Sequence, residues 1–302
     1  MTEVRRPENC PVEFDDIVEE IVACAGLPRD EVKARVWLQV MVVGGNVARD
    51  VERFDVTPHE YDANLERLSR EGDGFIFETL VYWARPRRRK WIERAADRLD
   101  LHAAQRRVAR QAIRILMLGD GTGSDTLYLV NRGYRIDYFD LPGSKTFAFA
   151  EKRFARAGLL GSAVRTIGDY TTIVTGTYDV VLSFEMLEHV PDARAAMSDI
   201  AAFLRPGGIT LVTEAFGSLG PQYPTHLRAS LRLRGKTPFL FLARGLALTW
   251  YERADRFKPM EFTKRDDGRI RRLLALFADQ LVMRTWAEGR YRDWRARLIP
   301  TR

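Results

Sequence analysis

The sequence predicts an α/β fold, a mainly parallel seven-stranded sheet with helices on both faces, preceded by an all-helical N-terminal domain. Three observations carry this. Residues 12–108 show helical periodicity and no alternating strand pattern. From Ile113 onward short apolar runs alternate with helical segments, a rhythm that implies right-handed crossovers and a parallel sheet. Each helical segment is closed by glycine or by Pro-Gly, at Gly133, Gly158 and Pro206-Gly207-Gly208.

In the first part, Val32, Val36, Val40 and Val43 form an apolar stripe on one predicted helix. Thr57-Pro58 reads as an N-cap followed by proline, opening a helix through Leu65 and Leu68 that Gly72 closes. Asp73 starts the next, with Phe77, Leu80 and Val81 inward, and Pro86 ends it. The basic run Arg85–Lys90 is expected as the solvated start of a further helix, with Pro86 near its first position. The domains are therefore drawn as 1–108, completing an acceptor pocket or a dimer interface, and 109–302.

The predicted strands of the second part are Ile113–Leu118, Ile136–Phe139, Val164–Ile167, Tyr178–Ser183 and Ile209–Thr213. Helices fall at Thr126–Asn131, Lys145–Arg156 and Asp192–Leu204. Residues 216–262 are expected to be a lid insertion, because a connection this long is seldom passive. Arg228, Arg232, Arg234, Lys236, Phe239, Phe241, Trp250 and Tyr251 suit it to a polar or anionic acceptor, or to packing on the N-terminal half or a second subunit. Thr263 and Asp266 read as a capping pair for a helix through Phe277. Two last strands, an antiparallel edge hairpin, are placed near Leu281–Thr285 and Arg292–Ile299.

Composition sets outer limits. Hydrophobic residues are 46% and charged residues 29% of 302, enough apolar material for a core and too much for a disordered chain. No apolar run approaches the ~20 residues of a membrane span, and the N-terminus lacks the apolar core of a secretory signal, so a cytoplasmic location is expected. Cys10 and Cys24 offer neither a disulfide framework nor zinc spacing. The net charge of +7, mostly arginine, suits an anionic ligand, but no RNA-binding module accompanies it and nucleic acid is not the expected partner.

The strand before Gly119-Asp120-Gly121-Thr122-Gly123 runs directly into a helix, so the backbone must turn tightly and approach a ligand closely. A dinucleotide loop would carry a third glycine where Ser124 stands, which argues against a pyrophosphate cofactor. Asp140 ends the next strand, ~20 residues on, where a carboxylate can accept both ribose hydroxyls. After strand four, Glu185, Glu188 and His189 share one face if the chain turns helically, and His226 follows strand five. Such an oxygen and nitrogen set suits Mg²⁺ or Mn²⁺, and without metal His189 or His226 is the candidate general base.

The ordered strings ILMLGDGTG, Asp140, Gly168-Asp169-Tyr170, YDVVLSFEMLEHVPDA and LRPGG resemble the motifs of class I S-adenosylmethionine-dependent methyltransferases. The resemblance covers about residues 110–299 and implies a Rossmann-like domain. It also implies that Gly119, Gly121 and Gly123 lie under the cofactor's methionine, Asp140 on its ribose, and Asp169 and Tyr170 at the adenine. Met117 departs from the acid that many members carry two residues before the first glycine, and Asp120 is the expected substitute for holding the ammonium. EMLEHVPD is similar to the segment of ubiquinone-pathway O-methyltransferases, and the Glu, Glu-His and later His spacing also resembles small-RNA 2′-O-methyltransferases. Both imply a divalent ion on Glu185, Glu188 and His189, with His226 as a fourth ligand. The expected function is methylation of a hydroxyl on a small molecule, a sugar or natural product, with RNA 2′-O-methylation as the alternative; a homodimer is compatible with either.

Overall fold

In the computed structural model, residues 13–252, 255 and 258–265 are described. Six helices come first: α1 (Phe14–Ala25), α2 (Arg29–Met41), α3 (Gly45–Arg53), α4 (Ala63–Glu71), α5 (Gly74–Ala84) and α6 (Pro86–Arg106). Ile17, Ile21, Val32, Val36, Phe77 and Leu80 form their shared core, and Phe149 of the following domain joins it. The valine stripe is shorter than predicted, since Val40 is exposed and Val43 lies beyond the end of α2.

One predicted helix start moves. Asp62, not Thr57, caps α4, accepting from the Leu65 amide at 2.8 Å. Thr57-Pro58 lies in a turn because His59, at φ +71°, pairs with a distant segment: its amide donates to Pro224 O at 2.8 Å, and its carbonyl accepts from Arg228 N at 2.9 Å. Asp73 does precede α5, but its carboxylate is spent on Arg35 rather than on the helix amides. Replacing Asp62 by alanine is expected to lower unfolding stability by about 1 kcal/mol in a denaturant titration. No loss would mean that tertiary contacts alone set where α4 begins.

Pro86 begins α6 as predicted, but the basic run is not all solvated. Arg88 is buried and meets Asp125 through Nη2–Oδ2 at 2.5 Å and Nη1–Oδ1 at 3.2 Å, while Trp83 Nε1 donates to Asp125 Oδ1 at 2.8 Å. Asp125 lies in the first turn of the helix after the glycine loop. The N-terminal half is thus fastened to the ligand-facing end of the second domain by a desolvated ion pair, which requires a partner for each charge.

The second domain comprises β1 (Arg114–Leu118), α7 (Ser124–Asn131), β2 (Arg135–Phe139), α8 (Lys145–Arg156), β3 (Val164–Thr166), β4 (Tyr178–Phe184), α9 (Ala193–Phe203), β5 (Leu204–Thr213), α10 (Thr237–Leu242), β6 (Leu246–Tyr251) and β7 (Met260–Lys264). Strand order is β3-β2-β1-β4-β5-β7-β6. The first five strands are parallel, whereas β7 runs antiparallel to both neighbours. Every residue of the central β4 is buried, as a strand covered by helices on both faces must be.

A hairpin of β6 and β7 forms one edge of the described sheet. Residues 216–262 do not form a lid alone, because they supply β6 and most of β7. Thr263, expected to cap a helix, instead pairs with Ile209 and Ala247. The helix through Phe277 and the strands near 281–285 and 292–299 lie outside the described residues. Basic and aromatic composition hid Leu246–Tyr251, whose pairing partners lie far away in sequence. Among the described residues no helix is long and apolar enough to cross a membrane.

Candidate active site

A cavity of about 620 Å³ opens beyond the carboxyl ends of β1, β2 and β4, where an open parallel sheet binds its ligands. One wall is the glycine loop with Phe139, Asp140 and Tyr170; the other comes from Tyr61, α4 and α5. At Gly119, with φ +73°, a Cβ would stand 2.3 Å from Met186 Cγ. At Gly123, with φ +77°, it would stand 2.4 Å from Phe154 Cζ. Gly121 lies between them, and its amide donates to Asp140 Oδ2 at 2.6 Å. The other carboxylate oxygen accepts from Leu141 N at 2.7 Å, and burial raises the Asp140 pKa.

Two expectations for the cofactor wall are corrected. Asp120 lines the cavity, but its two oxygens accept from the Asp125 and Thr126 amides at 3.1 and 2.7 Å. It caps α7, and burial followed by repulsion from Asp125 pushes its pKa up to about 8, so it offers little negative charge to an ammonium. Asp169 is exposed and accepts from Thr171 N and Oγ1 at 2.9 and 2.7 Å, closing a turn outside the cavity lining. Tyr170 does line the cavity, packs on Phe139 at 5.0 Å, and donates to Asp199 Oδ2 at 2.8 Å.

Beyond β4 the chain forms a tight turn rather than a helix, which separates the predicted metal set. Glu185 adopts φ +52°, a strained value for a residue with a side chain. Its carboxylate lines the cavity but is held by Lys258 Nζ at 2.7 Å. Glu188, His189 and His226 do converge, each offering a ligand atom within 4.8 Å of the others. Glu188 is wholly buried, and neither of its oxygens has a hydrogen-bond partner among the described residues. The His226 Nδ1 is likewise unpartnered. Burial, then the charge of Glu185, raises the Glu188 pKa well above the carboxylate range. Burial lowers His189 to about 4, and burial with the neighbouring His189 lowers His226 to about 2. Both imidazoles are neutral at pH 7; their rings meet edge-on at 4.7 Å, and of the two only His189 lines the cavity.

A family profile described as a methyltransferase domain matches residues 82–263, more than half of the chain. The chain belongs to the class I S-adenosylmethionine-dependent methyltransferases. Among curated proteins it is 31% identical over 96 residues to the ubiquinone biosynthesis O-methyltransferase of Cronobacter sakazakii, a stretch covering 32% of this chain and 39% of that enzyme. It is 26% identical over 168 residues to the O-methyltransferase rstn1 of Aspergillus nomiae, covering 54% of this chain and 73% of that one. The chain thus spans about two fifths of the length of the Cronobacter relative. The crystal structure of the CurJ carbon methyltransferase shares the fold at a TM-score of 0.50 and 13% identity, over 84% of this chain and 70% of that one.

Several groups of this methyltransferase's site were not read from its sequence. Lys258, on the β6–β7 connection, faces Glu185 and, at longer range, Glu214 and Glu188. His59 Nδ1 donates to the carbonyl of His226 at 2.9 Å, so the N-terminal half fixes the backbone of a predicted site residue 167 positions away. Tyr82 lines the cavity, and burial raises its phenol pKa. No local pattern marks any of these, because each depends on a partner from another element.

Proposed function

We propose that the protein is an O-methyltransferase that moves the methyl group of S-adenosylmethionine to a hydroxyl of a small molecule, with His189 taking the hydroxyl proton. The observation that carries this reading is a neutral imidazole on the wall of the same cavity as the glycine loop and Asp140. When bound, the cofactor supplies a methyl group on a positively charged sulfur, which needs an aligned nucleophile more than further activation. Gly119, Gly121, Asp140 and Tyr170 would hold it, and Asp140 would accept the ribose hydroxyls. The remaining wall, with Leu65, Phe75, Thr79 and Tyr82, would orient the acceptor and exclude water. An acceptor hydroxyl beside His189 passes its proton to the neutral ring as the oxygen attacks. Closure of the cavity by α4 and α5 favours a compact acceptor over an RNA strand and gives the N-terminal half a role without a second subunit.

The donors also fit a divalent ion, as three ligands rather than four. Glu188, with two unpartnered oxygens, His189 and His226 would hold Mg²⁺ or Mn²⁺, which would lower the pKa of a bound hydroxyl. Glu185 is left out, since Lys258 already neutralises it. With purified protein and a methyl acceptor found by screening, EDTA is expected to lower turnover and Mn²⁺ to restore it. Glu188→Gln should remove that response, and Glu185→Gln should keep it. Full turnover in EDTA leaves His189 as the base and ends the metal reading; absence of methyl transfer to any hydroxyl acceptor ends the O-methyltransferase reading.

A further inference from the structure

The glycine loop is held from behind by α8. Ala150, Arg153 and Phe154 share one face of that helix, at spacings of three and four. Ala150 and Phe154 sit under Gly123, where an added Cβ would meet both. Arg153 makes the polar contacts: its Nη1 donates to Thr122 O at 2.6 Å and to Ser124 Oγ at 2.9 Å. Thr122 and Ser124 are both buried, and both line the methyl-transfer cavity. Ser124 is also where the loop departs from a dinucleotide fingerprint. Its hydroxyl gives Arg153 an acceptor that a third glycine would lack.

The charge on Arg153 is met from the other half of the chain. Its side chain is 0% exposed, and its Nε donates to Glu20 Oε1 of α1 at 2.8 Å. A guanidinium so fully desolvated needs such a partner. Its planar fork reaches α1 and the loop together, which the single point of a lysine ammonium would not. Joining α1 to α8 does not by itself require this, because the same seam has other ties. Arg156 Nη1 donates to Glu20 Oε2 at 3.2 Å and to Cys24 Sγ at 3.3 Å, and Lys152 Nζ donates to Cys24 O at 2.9 Å. Arg153 differs from them in continuing to the loop. Among the described residues, none of α1 lines the cavity.

We propose that Arg153 is a positioning residue for the methyl donor: with its charge met by Glu20, it fixes Thr122–Ser124 in the shape that receives the cofactor. The inference rests on the placement of the cofactor on the glycine loop. Arg153 lies outside the cavity lining and acts through the loop. Helix α1 then sets cofactor affinity without meeting the cofactor. Linkage requires the reverse as well, that a bound cofactor tightens the seat of α1.

The test is calorimetry of S-adenosylhomocysteine on the full chain and on Arg153→Met, Arg156→Met and Asp140→Ala. Arg153→Met leaves Glu20 paired with Arg156, and melting temperatures establish that each variant is folded. Glu20→Gln, equal in size to the native residue, carries the same expectation where Arg153→Met does not fold. Affinity is expected to fall about tenfold or more in Arg153→Met and to stay at the wild-type value in Arg156→Met, although both cut the same seam. Hydrogen exchange along α1 is expected to slow when S-adenosylhomocysteine binds the wild-type chain, and not when it binds Arg153→Met. An arginine that only joined the two helices would shift melting temperature and neither of these readouts. Wild-type affinity in Arg153→Met beside a weakened Asp140→Ala overturns the positioning role and leaves the cofactor placement standing; wild-type affinity in both overturns both. Equal losses in Arg153→Met and Arg156→Met, or α1 exchange in the wild-type chain that ignores the ligand, also overturn the positioning role.

Discussion

Replacing His189 by alanine is expected to lower kcat by about 10²–10⁴-fold while leaving S-adenosylmethionine affinity within about twofold. The imidazole lines the cavity, with Phe75 edge-on at 6.1 Å and His226 at 4.7 Å. Its loss removes the proton acceptor without touching a group proposed to hold the cofactor. The pH profile adds a signed check. Burial lowers the ring to about 4, so the neutral, proton-accepting form persists well below the ordinary histidine range. In EDTA-treated protein the acid limb of kcat/KM is therefore expected near pH 4 to 5 rather than near 6.5. Single-turnover methyl transfer and equilibrium dialysis separate the two quantities. Loss of cofactor affinity with kcat intact would remove His189 from the proton-transfer role.

The second large effect is at Asp140. Its two oxygens already accept from Gly121 N and Leu141 N, so the side chain sets the loop's shape as well as facing the cavity. Asp140→Ala leaves those amides and both ribose hydroxyls without this acceptor. Each lost hydrogen bond to a charged group is worth about 1.5–3 kcal/mol, so cofactor affinity should fall at least about tenfold. Asp140→Asn, of equal size, should fall less than the alanine variant while still losing charge. Wild-type affinity in Asp140→Ala, measured by calorimetry, would place the ribose elsewhere.

Much of the cofactor side was legible because its signals are local. A glycine loop between an apolar strand and a helix, and a carboxylate at the next strand's end, each need only a few adjacent residues. Strands β1 to β4 and the second half of β5 were legible as short runs bounded by turns, but Leu204–Gly208, read as a helix end, begins β5. The turn after β4 was not, because the strained backbone of Glu185 and the pull of Lys258 override the helical spacing that grouped Glu185 with Glu188 and His189. Asp120 and Asp169 had the right residue type for ligand contacts, yet Asp120 accepts from two backbone amides and Asp169 closes an exposed turn with Thr171 outside the cavity lining. Leu246–Tyr251 and Met260–Lys264 became strands through each other and through β5, pairings that no window of sequence contains.

The division of the cavity wall between the two halves has a consequence for descent. Residues that would grip the cofactor belong to the sheet domain, whereas Leu65, Phe75, Thr79 and Tyr82 come from two short helices outside it. On the proposed reading, substitutions at Leu65, Phe75 and Tyr82 would change which molecules are accepted while the methyl donor is held as before, whereas Thr79 also donates to Thr122 of the glycine loop. The exchange has a limit, because His59 is stitched to Pro224, His226 and Arg228 by three hydrogen bonds. A lineage that borrowed new N-terminal helices would have to keep that seam, so acceptor range is free to drift within the helices but not to be swapped with them wholesale.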